Sequence, residues 1–193
     1  GYDTSYSFQA KSSIQSPPRW EDTLEYSITD QTITMKQAAQ LDFGAVGKGY
    51  LVDIISQLLH DRGITSYVVD AGGDMFIQSL DNPLTIGLED PQNTQAVLGV
   101  AEISLGALCG SAGNRRRWGN YHHIINPSSL KSPEHILAAW VFTESTMLAD
   151  GLTTCLFLVP ATTLQKQFAF EYILVMDKGS VEISAGFPAK IFT

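Results

Sequence analysis

Cysteine is scarce in this chain of 193 residues: there are two, Cys109 and Cys155. Two are too few to define a disulfide framework. Each stands beside leucine, and a buried free thiol is the expectation for both. Positive charge is also short, with 12 Lys and Arg against 20 Asp and Glu, a net charge of −8. That balance argues against nucleic acid as a partner, because a phosphate backbone demands basic surface. A phosphorylated small molecule remains compatible with it where a cation or a few local arginines offset the charge. No uninterrupted apolar run approaches the ~20 residues that cross a bilayer. Internal repeats and low-complexity tracts are missing too. The chain starts at Gly1 rather than Met, so its natural start is expected upstream, together with any export signal or lipid-bearing cysteine.

Hydrophobic residues make up 44% of the chain, ample for one core. Residues 1–20, polar and aromatic with Ser16-Pro17-Pro18, read as a loose N-terminal arm, and residues 21–193 as a single domain. Residues 24–29 and 32–35 flank Asp30-Gln31 as a β-hairpin. A Gly-rich stretch over 41–49 leads into a helix in which Leu51, Ile54, Ile55, Leu58 and Leu59 form an apolar face, stopped by Gly63. Strands are expected over 66–70, 75–77, 84–88 and 98–104, with a turn over 89–93. Residues 110–120 read as a Gly- and Arg-rich loop, 122–125 as a short strand closed by Asn126-Pro127, and 138–142 as another strand. A short helix near 164–168 precedes a last hairpin, 172–176 with 181–184. Runs of strands punctuated by isolated helices predict an α+β fold with mostly antiparallel pairing.

The segment from Met147 to Val159 is apolar except for Asp150, Thr153 and Thr154. A spacing of four puts the Asp150 carboxylate and the Thr154 hydroxyl on one side of a helix. An ionised carboxylate in such surroundings costs several kcal/mol unless a positive charge compensates it. Two hard oxygen donors converging on one spot suit Mg²⁺; the alternative is an Asp near a helix start with Thr154 merely packing its methyl. Gly44, Gly47, Lys48 and Gly49 stand where an extended segment becomes a helix, which is either a structural turn or a cradle for an anion. Ala71-Gly72-Gly73-Asp74 makes a sharp bend that exposes one carboxylate. Arg115, Arg116 and Arg117 are the one cationic cluster, and one of them reaching a pyrophosphate is the functional reading. His122 and His123 are adjacent, so in a strand they face opposite ways and one can face a site.

Taken in order, Asp42…Gly44-Ala45-Val46-Gly47-Lys48-Gly49-Tyr50…Asp53, Ala71-Gly72-Gly73-Asp74, Gly110-Ser111-Ala112-Gly113-Asn114, Tyr121-His122-His123-Ile124-Ile125-Asn126-Pro127 and Ala149-Asp150…Thr154 resemble the ApbE family, the FAD:protein FMN transferases. The resemblance runs from about residue 24 to the C-terminus. It implies an α+β, T-fold-like architecture, FAD as substrate, Mg²⁺ as required ion, and transfer of FMN to a Thr or Ser of an acceptor protein with AMP released. It further implies Asp150, Thr154 and the Ala45 carbonyl as metal ligands, and His123 with Asp150 as catalytic residues. Lys48, Asp53, Gly72, Gly73, Asp74 and Arg115 would then serve the flavin nucleotide. A periplasmic or cell-envelope location, with any membrane attachment through a missing N-terminal anchor, also follows from the resemblance alone.

Three departures bear on activity. Members of the family are commonly longer, with an N-terminal region that supplies part of the flavin cleft; the usual Asp-Pro-Arg-Thr-Gly is Asn126-Pro127-Ser128-Ser129-Leu130 here, and the usual Thr-Ser-Gly before the arginines reads Gly110-Ser111-Ala112-Gly113. The alternatives are a truncated, non-catalytic flavin-binding protein and an FAD pyrophosphatase that yields FMN and AMP.

Overall fold

The computed structural model describes residues 7, 9 and 14–192. Most of the expected N-terminal arm (1–6, 8 and 10–13) lies outside the described residues; 14–19 are irregular. Trp20–Thr23 (α1) leads into a hairpin of Leu24–Ser27 (β1) and Thr32–Met35 (β2). Gly47–Asp61 (α2) precedes Tyr67–Asp70 (β3) and Met75–Gln78 (β4). Leu84–Asp90 (β5), Asn93–Ile103 (β6) and Leu105–Ala112 (β7) run in succession, followed by the short Arg117–Trp118 (β8) and Tyr121–His122 (β9). Ile136–Thr143 (β10), Thr146–Cys155 (α3), Ala161–Leu164 (α4), Glu171–Met176 (β11), Val181–Ile183 (β12) and Ala189–Ile191 (β13) complete the order. The expected α+β class holds, and the strand pairs are antiparallel.

Side-chain alternation sorts the core into two compartments. The central sheet has six strands in the order β12-β11-β10-β7-β4-β3. Ala107 and Cys109 of β7, Ala139 and Val141 of β10, and Tyr172 and Leu174 of β11 face a cluster containing Ala149 and Leu152 of α3 and Leu156 just after it. Their neighbours Leu108, Trp140 and Ile173 point the other way, onto Leu88, Ala101 and Ile103 of the three-stranded sheet β13-β6-β5. The result is three layers: helices, six strands, three strands. Among the described residues no helix is long and apolar enough to cross a membrane.

Several expectations are corrected. The central strand β7 was not anticipated, and Gly110, Ser111 and Ala112 belong to it rather than to a loop. Its glycines face aromatic rings: a Cβ on Gly110 would come within 2.8 Å of Trp140 Nε1, and one on Gly106 within 2.7 Å of Phe142. Trp140 pairs directly with Gly110, so the ring fills the space a side chain would need. The expected strand 122–125 shrinks to β9, and the helix expected near 164–168 ends at Leu164 as α4. The turn expected over 89–93 is tighter, because β5 runs on to Asp90 and β6 starts at Asn93. Cys109 is buried as expected, whereas Cys155 is exposed.

The face of α2 is also different. Leu51, Ile54 and Leu58 are 53%, 47% and 48% exposed, Ile55 and Leu59 are half-buried, and the buried residues of this helix are Gly49, Val52 and Ser56. The cause is close helix packing: a Cβ on Gly49 would lie 2.3 Å from the Thr146 carbonyl oxygen. A face of small residues lets α2 and α3 touch backbone to backbone, which the bulky apolar stripe could not do.

Candidate active site

The N-terminus of α2, the middle of α3, the 71–74 bend, the end of β7 and the loop from Asn114 to Ile124 meet at one place. They enclose a cleft of about 410 Å³ lined by Ala45, Lys48, Gly72, Asp74, Arg115, His123, Asp150 and Thr154. Eight of the ten residues expected at the site are therefore brought together. Gly73 lines an adjoining lobe of about 440 Å³, which shares Gly72, Gly110, Ser111, Ala112, Arg115 and Arg116 with the first. That second lobe adds Met75, Ile86, Leu88, Leu108 and Trp140. One half of the cleft is thus rich in charge, and the other sets apolar side chains and an indole beside Glu89, Arg115 and Arg116.

Asp53 lines neither lobe. Its carboxylate accepts hydrogen bonds from the Ser145 hydroxyl at 2.9 Å and from the amides of Thr146 at 2.8 Å and Met147 at 3.0 Å. It occupies the first turn of α3, where unpaired N–H groups and the helix dipole favour an anion. From α2 it therefore fixes the position of α3, and with it Asp150.

Asp150 is buried, and its two oxygens are held differently. Oδ2 accepts from the Gly49 amide at 3.0 Å, while Oδ1 lies 3.5 Å from the Lys48 ammonium. Burial pushes its pKa above the usual carboxylate value, and Gly49, Lys48 and Arg116 pull against that rise. Lys48 makes its closer contact with Asp74, whose side chain is 2% exposed. Thr154 shares the cleft wall with Asp150 as its one-turn spacing predicts, and its hydroxyl makes no hydrogen bond among the described residues. The Ala45 carbonyl oxygen stands 4.0 Å from where a Cβ on Gly151 would sit, so the glycine after Asp150 keeps that carbonyl close to the helix. Thr153, by contrast, turns inward: its hydroxyl donates to the Asp150 carbonyl at 2.7 Å and lies 2.8 Å from Ser111 Oγ.

A carboxylate, a hydroxyl and a backbone carbonyl on one wall form a hard oxygen donor set that can hold a divalent cation of the Mg²⁺ type. Among the described residues no three His, Cys, Asp or Glu side chains converge as a metal cluster. The set expected from the sequence uses one carboxylate and does not require such a cluster.

The adjacent histidines divide as expected. His122 is buried; its Nε2 lies 2.9 Å from the Pro133 carbonyl and its Nδ1 accepts from the Ile124 amide at 3.3 Å. A carbonyl only accepts, so this pair of bonds fixes the Nε2–H tautomer. His123 lines the cleft instead, and burial, then Arg116, His122 and Lys48, push its pKa down to about 4. Its imidazole is neutral at neutral pH.

Of the three arginines, Arg115 pairs with Glu89 at 2.5 Å on the rim, and Arg117 is exposed on β8. Arg115 and Arg116 both line the two lobes, and Arg116 also acts electrostatically on His123 and Asp150. The expected Arg115 thus reaches the cleft and Arg116 joins it; three consecutive arginines give no phase, and only the fold separates these two from Arg117. The Gly49 amide was also missed as a ligand of Asp150, since a main-chain donor leaves no mark beyond the glycine itself. Asp42, at the cleft edge, accepts from the Gly44 amide at 2.6 Å and shapes the entrance to α2.

Fold and cleft together define an α+β domain with a two-lobed cleft: one lobe gathers the hard oxygen donors, the rim carries arginines, and the annex adds apolar side chains. The sequence model of the ApbE family matches residues 5–172, and the chain belongs to that family. A relative from Treponema pallidum named FAD:protein FMN transferase is 28% identical over 177 residues, covering 80% of this chain and 49% of that protein. A Vibrio cholerae protein of the same name is 29% identical over 123 residues, covering 59% of this chain and 37% of its own length. The chain therefore spans about half or less of the length of these relatives. The solved ApbE protein of Thermotoga maritima superposes with a TM-score of 0.75 at 23% identity, over 85% of this chain and 57% of that one.

Proposed function

We propose that this chain carries the catalytic cleft of an FAD:protein FMN transferase, moving FMN from FAD to a Thr or Ser hydroxyl of an acceptor protein and releasing AMP. The observation that carries the reading is the convergence of Asp150, Thr154 and the Ala45 carbonyl with Lys48, Arg116 and His123 on one cleft. The names of the relatives point to the same chemistry.

In this reading Asp150, Thr154 and the Ala45 carbonyl hold Mg²⁺. When bound, the ion would neutralise charge on the phosphate oxygens. Lys48, Arg115 and Arg116 hold the pyrophosphate; guanidinium forks match phosphate oxygens. The apolar annex with Trp140 takes a ring system of the dinucleotide. The acceptor hydroxyl attacks the FMN phosphorus, so that a new P–O ester bond forms, the P–O–P bond breaks, and AMP leaves with the bridging oxygen. A ring nitrogen of neutral His123 takes the hydroxyl proton. Bound phosphate raises the affinity of that imidazole for the proton, since an opposite charge favours the imidazolium.

The test is incubation with FAD, Mg²⁺ and an acceptor protein. The expected result is a fluorescent acceptor band and an equal amount of AMP, both abolished in Asp150→Ala. Full activity in that variant would overturn the metal role. FMN and AMP without a labelled band would favour the pyrophosphatase reading. Flavin binding without AMP release would mean a non-catalytic flavin-binding protein.

A further inference from the structure

We propose that Asp74 is a positioning residue: its buried carboxylate draws the Lys48 ammonium off Asp150 and leaves Asp150 open to a divalent cation. The inference rests on the metal reading given above and deepens it. Asp74 closes a bend whose shape is set by the backbone, with Gly72 and Gly73 at φ +79° and +97°. The Ala71 amide donates to the Asp74 carbonyl at 3.0 Å, and the Asp70 carboxylate accepts from the Gly73 amide at 2.8 Å. The carboxylate presented by this bend is 2% exposed, and Lys48 is its partner.

The ammonium is shared unequally. It contacts Asp74 directly but stands 3.5 Å from Asp150 Oδ1, beyond the 2.7–2.9 Å typical of a charge-assisted bond. The closest donor to Asp150 is neutral, the Gly49 amide at 3.0 Å, with the Lys48 ammonium a weaker second. A lysine fully engaged with Asp150 would compete with any cation for the same oxygen. Without the negative charge of Asp74, Asp150 becomes the nearest anion to Lys48, and the lysine becomes that competitor. Asp74 and Lys48 thus form a parked ion pair beside the metal ligands.

The experiment is calorimetric titration of the ligand-free chain with Mg²⁺ alone, run on wild type, Asp74→Asn, Lys48→Gln and the double variant. Asp74→Asn is expected to weaken Mg²⁺ binding by about tenfold, and adding Lys48→Gln to it to restore the affinity to within about threefold of wild type. Lys48→Gln alone is expected to change the affinity far less than it does in the Asp74→Asn background. Equal effects of Lys48→Gln in both backgrounds would overturn the proposal, because Asp74 would then act only as diffuse negative charge. Should Asp74→Asn fail to fold, Lys48→Arg replaces it: a guanidinium wide enough to engage both carboxylates should weaken Mg²⁺ binding, and undiminished binding would overturn the proposal. A wild-type chain that binds no Mg²⁺ would sink the metal reading and this inference together. Wild-type binding with an additive cycle would sink this inference alone.

Discussion

Two adjacent histidines show how position decides chemistry. The side chain of His122 is spent on Pro133 and Ile124, while His123 reaches the cleft with its pKa held near 4. Between that value and the ordinary 6.5, the unfolded chain binds a proton on this ring that the folded chain refuses. Stability from His123 is therefore complete above about pH 6.5 and is lost as pH falls toward about 4. With allowance for solvent screening at an open cleft, the loss is about 1–2 kcal/mol. Urea unfolding at pH 7 and pH 4.5 should show that decrement in wild type and a smaller one in His123→Gln; identical decrements would mean that His123 is not held neutral. Adjacency made a division of labour legible, although strand alternation is not its cause: β9 ends at His122 and His123 lies just beyond it. Which histidine took which face was decided by the partners of His122, and those lie in the segment that follows it.

At the level of helices and strands, the sequence was most readable where side chains do the packing. It was least readable where backbones do. Helix α3 was evident from Asp150 and Thr154 in an apolar run, and β10 and β11 from their short continuous apolar runs. Strand β7 was hidden because its glycines give up their own side-chain volume to Trp140 and Phe142 from β10. In α2 periodicity correctly gave a helix but the wrong face, because backbone contact with α3 selects Gly49, Val52 and Ser56 over the larger residues. This correction has a measurable consequence. Ile54→Ser on the exposed stripe should change unfolding free energy by less than about 0.5 kcal/mol. Val52→Ala should cost about 1–2 kcal/mol, and Gly49→Ala about 2–4 kcal/mol, because the added methyl has nowhere to go between α2 and the Thr146 carbonyl. Reversal of the order of Ile54 and Val52 would show that the apolar stripe, not the small-residue face, packs inward.

Charge acts on the molecule as a whole. The chain carries −8, while the cleft sets Lys48, Arg115 and Arg116 against Asp42, Asp74 and Asp150, so its formal charges balance. An anionic dinucleotide thus meets repulsion at long range and individual cations at contact. The acidic excess was plain in the sequence; the local balance was not, because Lys48 and the arginines come together only when α2 meets the loop after β7. Ionic strength separates the two effects. The Debye length shrinks from about 30 Å at 0.01 M to about 8 Å at 0.15 M, so distant acidic groups are screened before those in contact with the ligand. FAD affinity, followed by quenching of flavin fluorescence, should stay within about threefold over that range, because the lost repulsion offsets part of the weakened attraction. Arg116→Gln should weaken FAD binding more than Arg115→Gln, since Arg115 already pairs with Glu89 at the rim whereas Arg116 acts on both His123 and Asp150. A steep loss of affinity with salt would place FAD on the exposed rim, and equal effects of the two arginine variants would remove Arg116 from the phosphate site. A flat salt response with unequal arginines would instead locate the attraction inside the cleft, where a negatively charged molecule needs it to hold a negatively charged substrate.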